Sequence, residues 1–167
     1  MADEELEEKR QVEKISQEEM DEFGVASEIA LHTHEMLDSR YSGELLEIKE
    51  GYAKVSLQTS QEMVADKYGL VHGGFIFSAA DFAAMAAVNA PYVVLSGAVS
   101  KFLAPVRVDD MVVFVAKARH ADGRRREVNV VGHVLEIKVF EATFKTVVLE
   151  NHALQLNLMK IGTNEND

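Results

Sequence analysis

The chain has no cysteine among its 167 residues. That removes disulfides, thiolate metal sites and a cysteine nucleophile together. It is compatible with a reducing compartment, and a cytoplasmic location is expected. No apolar run reaches the length of a clean membrane span, so no membrane partner is expected. The first residues, MADEELEEKR, are acidic and lack an apolar stretch, so no leader peptide is expected. Basic residues are in deficit: the formal charge is −11, and a general nucleic-acid interface would need a basic face. The G-x-S-x-G elbow of serine hydrolases is missing. So are G-x-G-x-x-G and the phosphate loop. There is no internal repeat and no low-complexity segment. His32-Thr33-His34 with Glu35 has a metal-like look, but residues two apart do not share a helix face. The other histidines are scattered, and no metal or organic cofactor is expected.

The acidity is local. Residues 1–22 hold ten acids and three bases, Glu165 and Asp167 add two more acids, and the body between is near −2. Residues 1–15 read as an acidic disordered tail, 161–167 as a second tail, and 16–160 as a single domain with an N-terminal helical segment. Met20, Phe23, Ala26, Ile29, Ala30 and Leu37 recur near helical spacing over 16–37. Ser39 to Gly43 reads as a loop. Leu46 and Ile48, then Ala53, Val55 and Leu57, alternate with polar residues around a Glu50-Gly51 turn, which predicts a hairpin. Residues 60–70 read as a loop. Beyond Pro91 strands are expected over 92–106, 111–121, 124–137 and 139–150, with turns at Val108-Asp109-Asp110 and Ala121-Asp122-Gly123. Phe140, Ala142, Phe144, Thr146 and Val148 should share one strand face. Leu154, Leu156 and Leu158 suggest a further extended piece. One buried helix among antiparallel strands fits an α+β class.

Between these halves stands Gly69-Leu70-Val71-His72-Gly73-Gly74, followed by FIFSAADFAAMAAVN. The segment is apolar on every side, which predicts a buried helix, stopped at Asn89-Ala90-Pro91. Its one carboxylate, Asp81, must therefore lie in a core or a cleft. A buried carboxylate is costly unless paired, hydrogen-bonded or protonated. Either it bonds Ser78 or a lysine, or it is there for chemistry. Gly73 and Gly74 start the helix, where unpaired amides and the positive dipole end favour a developing negative charge.

His-Gly-Gly with an acid nine positions after the histidine, then Lys101-Phe102-Leu103-Ala104-Pro105-Val106, resembles the hotdog-fold acyl-CoA thioesterases of the phenylacetyl-CoA and 4-hydroxybenzoyl-CoA group. The resemblance covers roughly residues 43 to 150. It implies the hotdog fold, a curved antiparallel sheet wrapped around one long central helix. It implies hydrolysis of an acyl-CoA to free acid and CoA, with Asp81 as nucleophile or general base and the Gly73 amide as oxyanion donor. The coenzyme A is part of the substrate. Gly73 and Asp81 are eight residues apart, about 12 Å along a helix, so one carbonyl cannot meet both on one chain. Relatives place the site at a dimer interface, and a homo-oligomer is expected.

Supporting roles follow from the same resemblance. His72 and Gly74 complete the motif, the histidine shaping the turn. Asp66 stands where relatives often carry Asn or Gln, and its other reading is a loop acid beside Lys67. Ser96 falls near a water-holding Ser or Thr. Arg124, Arg125 and Arg126, with Lys117 and Arg119 across a hairpin, suit CoA phosphates or a solvated hairpin. Met63, Phe77, Phe82 and Met85 are candidates for the acyl pocket or for plain core. The alternative function is a non-catalytic acyl-CoA sensor on the same fold; a hydratase would need a His–acid pair in other motifs.

Overall fold

Sixteen residues, Gly73–Val88, wind into one α-helix of which the greater part is buried. The helix ends as its sequence demands: Asn89 takes a left-handed conformation (φ 50°) and its amide donates to Met85 C=O at 2.8 Å. The computed structural model describes residues 29–155; from Leu31 onward they belong to one unit. Its elements are α1 (Ser39–Ser42), β1 (Glu44–Lys49), β2 (Tyr52–Gln58), α2 (Gly73–Val88), β3 (Val93–Phe102), β4 (Met111–Asp122), β5 (Arg125–Val134) and β6 (Ile137–Val148). Short 3₁₀ turns stand at Gln61–Met63 and Ala153–Gln155.

The six strands form one antiparallel sheet in the order β1-β2-β4-β5-β6-β3. It curves around α2, which touches all six strands. This is the α+β hotdog architecture. Inward-facing residues alternate along each strand: Val112, Phe114 and Ala116 on β4, Val128 and Val130 on β5, and Phe140, Ala142, Phe144 and Thr146 on β6 are buried. Against them pack Ile76, Ala79, Ala80, Ala83, Met85 and Ala86 of the helix. The alanines let strands approach the helix axis closely, and the phenylalanines fill the remaining depth. Gly132 belongs to this packing: a Cβ there would lie 2.8 Å from the Phe114 ring.

Several expectations need correction. The segment 31–37 is not helical; the part of the expected helix before residue 29 lies outside the described residues. Here His34 sits at φ 55°, Thr33 is buried with its hydroxyl 2.7 Å from His34 Nδ1, and the His32 amide donates to Asn89 Oδ1 at 2.7 Å. These local bonds replace a helical ladder. Residues 39–42 are a helical turn and not a loop, capped by Asp38, which accepts from the Arg40 amide at 3.0 Å. In β1 a bulge between Leu45 and Glu47 turns Leu46 outward and Leu45 inward. β3 stops at Phe102, where the next residues bond elsewhere: Leu103 N–H donates to Val139 C=O at 2.8 Å. β5 stops at Val134 because Leu135, at φ 52°, makes a two-residue turn. Leu154 lies in a 3₁₀ turn and not in an extended piece; Leu156 and Leu158 lie outside the described residues.

The Val108-Asp109-Asp110 turn forms where expected. Asp110 N–H donates to Arg107 C=O at 3.2 Å, and Asp109 adopts φ 71°. Asp110 is fixed, its carboxylate accepting from the Arg107 amide at 2.8 Å. Among the described residues Asp109 contributes only its backbone, whose C=O accepts from the Gln58 side chain at 3.0 Å. Glycine keeps that bond and relieves the left-handed strain. Asp109→Gly should therefore stabilise by about 0.5–1 kcal/mol, roughly 2–4 °C in Tm at most. Thermal unfolding checks it; a fall of several degrees would reveal a contact made by the Asp109 carboxylate.

Candidate functional site

The face of α2 that carries Gly74, Phe77, Ser78, Asp81 and Val88 is only partly covered. Spacings of three and four place these residues on one stripe. Phe77 packs its ring 5.4 Å from Phe144, and Ser78 Oγ lies 3.3 Å from Ser42 Oγ of α1. The serine thus has its partner, and it is not Asp81. Asp81 Oδ1 is buried with no hydrogen-bond partner among the described residues. Burial pushes its carboxyl up from the ordinary 3.8 to about 6. No neighbouring charge causes this; the cost of removing a carboxylate from water does.

At the start of α2, His72 occupies the N-cap without capping by its side chain. Its amide donates to Met63 C=O at 2.8 Å, and its C=O accepts from Phe75 N–H at 3.1 Å. First-turn amides have no partner within a helix, and those of Gly73 and Gly74 meet no acceptor among the described residues. A side chain would obstruct both. A Cβ on Gly73 would come 3.1 Å from Phe102 Cε1, and one on Gly74 would come 2.9 Å from His72 Nε2. The His72 ring, edge-on to Phe75 at 6.2 Å, leans over the second glycine. Beside Gly73 lies a groove of about 310 Å³, bounded by Leu70, Ile76, Phe102, Leu103, Pro105 and Val139.

The other residues singled out from the sequence stand apart from this pair. Asp66 is exposed, and its Oδ1 accepts from the amides of Tyr68 (2.8 Å) and Leu70 (3.2 Å). It builds the turn that delivers the chain to α2. Met63 and Met85 have no exposure and Phe82 has 6%, so these three are core within the single chain. None of them, and not Phe77, lines the groove beside Gly73. Ser96 is the bulge residue of β3, between Leu95 and Gly97, and its hydroxyl donates to Lys145 C=O at 3.0 Å. It lies six residues before Phe102, about 20 Å along an extended strand.

Ser96 shares a second groove, of about 540 Å³, with Asp122, Arg125, Arg126, Lys145 and Thr146. The three arginines differ in availability. Arg124 pairs with Glu150 at 2.5 Å. Arg126 donates to the C=O groups of Gly123 (3.0 Å) and Arg125 (2.9 Å). Arg119 pairs with Glu127 across the hairpin. Arg125 and Lys145 are exposed and enter no ion pair among the described residues. Sequence reasoning chose the arginines but missed Lys145, which the sheet brings to the same groove, and could not tell which cations are uncommitted.

What the fold alone implies is bounded by its relatives. The thioesterase superfamily profile matches residues 68–140. A crystallised, uncharacterised protein from Pyrococcus horikoshii is 44% identical, with a TM-score of 0.74, covering 75% of this chain and 97% of its own. Among curated proteins, the methylthioribose-1-phosphate isomerase of Aquifex aeolicus is 49% identical over 119 residues, 71% of this chain. The transcription factor FapR of Caldanaerobacter subterraneus is 30% identical over 132 residues, 78% of this chain. The chain spans only 26% of the length of the first and 66% of the second. At the level of fold, it is similar to a Streptococcus mutans protein solved with bound acetyl CoA (20% identity, TM-score 0.63, 72% of this chain and 98% of the other). The profile match over the helix and its flanking strands, joined to a 44% identical structure that is matched over 97% of its own length, places the family: the chain belongs to the thioesterase superfamily of hotdog folds.

Proposed function

We propose that the protein is an acyl-CoA thioesterase whose sites are shared between two chains. The observation that carries the reading is Asp81: one carboxylate in an apolar helix, its Oδ1 buried with no hydrogen-bond partner among the described residues, and its pKa raised to about 6. Structural carboxylates are paired; one held without a partner at stability's expense suits a base working near neutral pH. The thioester oxygen would accept from the Gly73 amide of one chain. Asp81 of the other would add to the carbonyl carbon, or take a proton from the water that adds. The C–S bond then breaks and CoA leaves as the thiolate. In the general-base route it takes the proton held by Asp81. In the nucleophilic route water hydrolyses the Asp81 mixed anhydride, freeing the acid and the carboxylate and supplying the proton that makes the thiol. The reading requires no metal and no cofactor beyond the substrate's own CoA.

The edge strand β3 supports the pairing of chains. It exposes Leu95, Val99 and Phe102 along an edge that pairs with no other strand among the described residues, a surface that a solitary protein would blunt. An antiparallel two-fold centred near Val99 would bring Ser96 of one strand beside Phe102 of the other. The Arg125–Lys145 groove of one chain would then lie toward the Gly73 amide of its partner, in position for CoA phosphates. Arg125→Ala with Lys145→Ala should raise KM for acyl-CoA about tenfold or more with kcat nearly unchanged, and flatten the salt dependence of KM. Steady-state kinetics at two ionic strengths check this; an unchanged KM would move the phosphates elsewhere.

The similarity to FapR favours a second reading, a non-catalytic acyl-CoA sensor. A screen of short, long and aromatic acyl-CoAs for release of free thiol separates the two, with Asp81→Ala as control. Turnover that vanishes in the variant supports the enzyme. Tight binding without turnover in the wild type supports the sensor.

A further inference from the structure

The groove beside Gly73 has walls of one kind. Leu70, Ile76, Phe102, Leu103, Pro105 and Val139 present hydrocarbon, and no charged residue lines it. Its backbone is largely committed as well: Val71 N–H donates to Val106 C=O at 2.9 Å, and Leu103 N–H to Val139 C=O at 2.8 Å. Phe102 closes the end over the helix. Its ring stands where a Cβ on Gly73 would point, 3.1 Å from that position, and packs edge-on against Phe140 at 5.2 Å. Phe102 is 55% exposed in the single chain and lies at the rim of the core, where its ring covers one edge of Phe140.

We propose that this groove receives the acyl chain, that the substrate class is a short acyl group without charge, and that Phe102 sets the length limit. The proposal rests on the thioester oxygen sitting at the Gly73 amide. From that point the acyl chain and the pantetheine arm must leave in different directions. The arm carries two amides, which lose hydrogen bonds among hydrocarbon walls and spent backbone groups. An alkyl or aryl chain loses none and gains by burial. A terminal carboxylate would be desolvated without a partner. At about 310 Å³ the space is at the small end of ligand pockets, which run from about 300 to 1,000 Å³.

The test uses the full-length protein and straight-chain acyl-CoAs from two to twelve carbons (about that range suffices to bracket a pocket of this class), with succinyl-CoA as the charged member. Wild-type kcat/KM should peak among the short uncharged chains. Phe102→Ala should move the peak to longer chains and raise the long-to-short ratio about tenfold or more, as expected for methylenes in an apolar pocket. Leu70→Trp, which adds bulk to another wall of the same groove, should move it to shorter ones. Opposite shifts cannot come from partial unfolding. The same series as non-hydrolysable thioether analogues, read by calorimetric binding, separates the two readings. Active variants with an unmoved length preference overturn the groove while the thioesterase reading stands. Binding preferences that shift in opposite directions, without any hydrolysis, support the groove and sink the thioesterase reading. A wild type that prefers succinyl-CoA overturns the proposal outright.

Discussion

Asp81→Asn should cost roughly 10²–10⁴-fold in kcat and at the same time make the protein more stable. The two effects have one cause. The folded protein holds the Asp81 proton more tightly than the unfolded chain does, since burial lifts the pKa from 3.8 to about 6. A raised folded value contributes stability that is complete below about pH 4 and is lost as the pH climbs through about 6. The difference is near two pH units, about 3 kcal/mol at about 1.4 kcal/mol per unit. Asparagine has nearly the same shape and no charge to bury, so it escapes the loss. Unfolding should show the variant equal to wild type near pH 4 and up to about 3 kcal/mol more stable at pH 8. In the wild type, kcat/KM should rise with pH through an apparent pKa near 6 as the carboxylate ionises. Wild-type turnover in Asp81→Asn would remove the assigned role. Equal stability at pH 8 with lost turnover would mean that groups from a second chain already satisfy the carboxylate, and the role would survive.

The parts of this fold that could be read from sequence are those that local chemistry decides. The central helix was legible because Phe75 to Val88 offers no polar side except Ser78 and Asp81, and because Asn89 and Pro91 cannot continue it. The hairpin at Asp122-Gly123 was legible for the same sort of reason, Gly123 adopting φ 52°. The β5–β6 turn ended a strand three residues early because Leu135 takes a conformation that leucine does not advertise. Leu46 faces out, against its alternation, because a bulge is a property of the pair β1–β2 and not of either strand alone. The candidate site divides in the same way. Asp81 stands out as one acid in an apolar run, but its lack of a partner among the described residues is decided by the fold, which sets Ser78 against Ser42. Met63 and Met85 could be read as pocket or as core because depth cannot be told from composition; both lie wholly in the core of the single chain. The groove beside Gly73 draws on Leu70, Ile76, Phe102 to Val106 and Val139. These segments meet only through the sheet, and no window of sequence contains them.

Mixing two inactive variants should restore activity if each site draws on two chains. In one chain α2 sets the Gly73 amide about 12 Å from Asp81 along the helix axis, too far for one thioester carbonyl to meet both. A two-fold dimer then holds two sites, each with Gly73 from one helix and Asp81 from the other. The first variant is Asp81→Ala. The second is Gly73→Val, whose side chain must push into the Phe102 ring and occupy the approach to the amide. Each homodimer carries the same lesion in both sites and should be inactive. In a mixed dimer both lesions fall in one site, while the other receives an intact Asp81 and an intact Gly73. Activity should therefore recover to about half of wild type per mixed dimer, or about a quarter of the total after random exchange. Because Gly73→Val disturbs Phe102, the repaired site should also keep the wild-type acyl preference, its Phe102 being paired with an unaltered glycine. Exchange is followed independently with differently tagged chains, so that a silent mixture is not mistaken for an unmixed one. Proven exchange without recovery would place the whole reaction within one chain, and the 12 Å separation would then require a different oxyanion donor for Asp81.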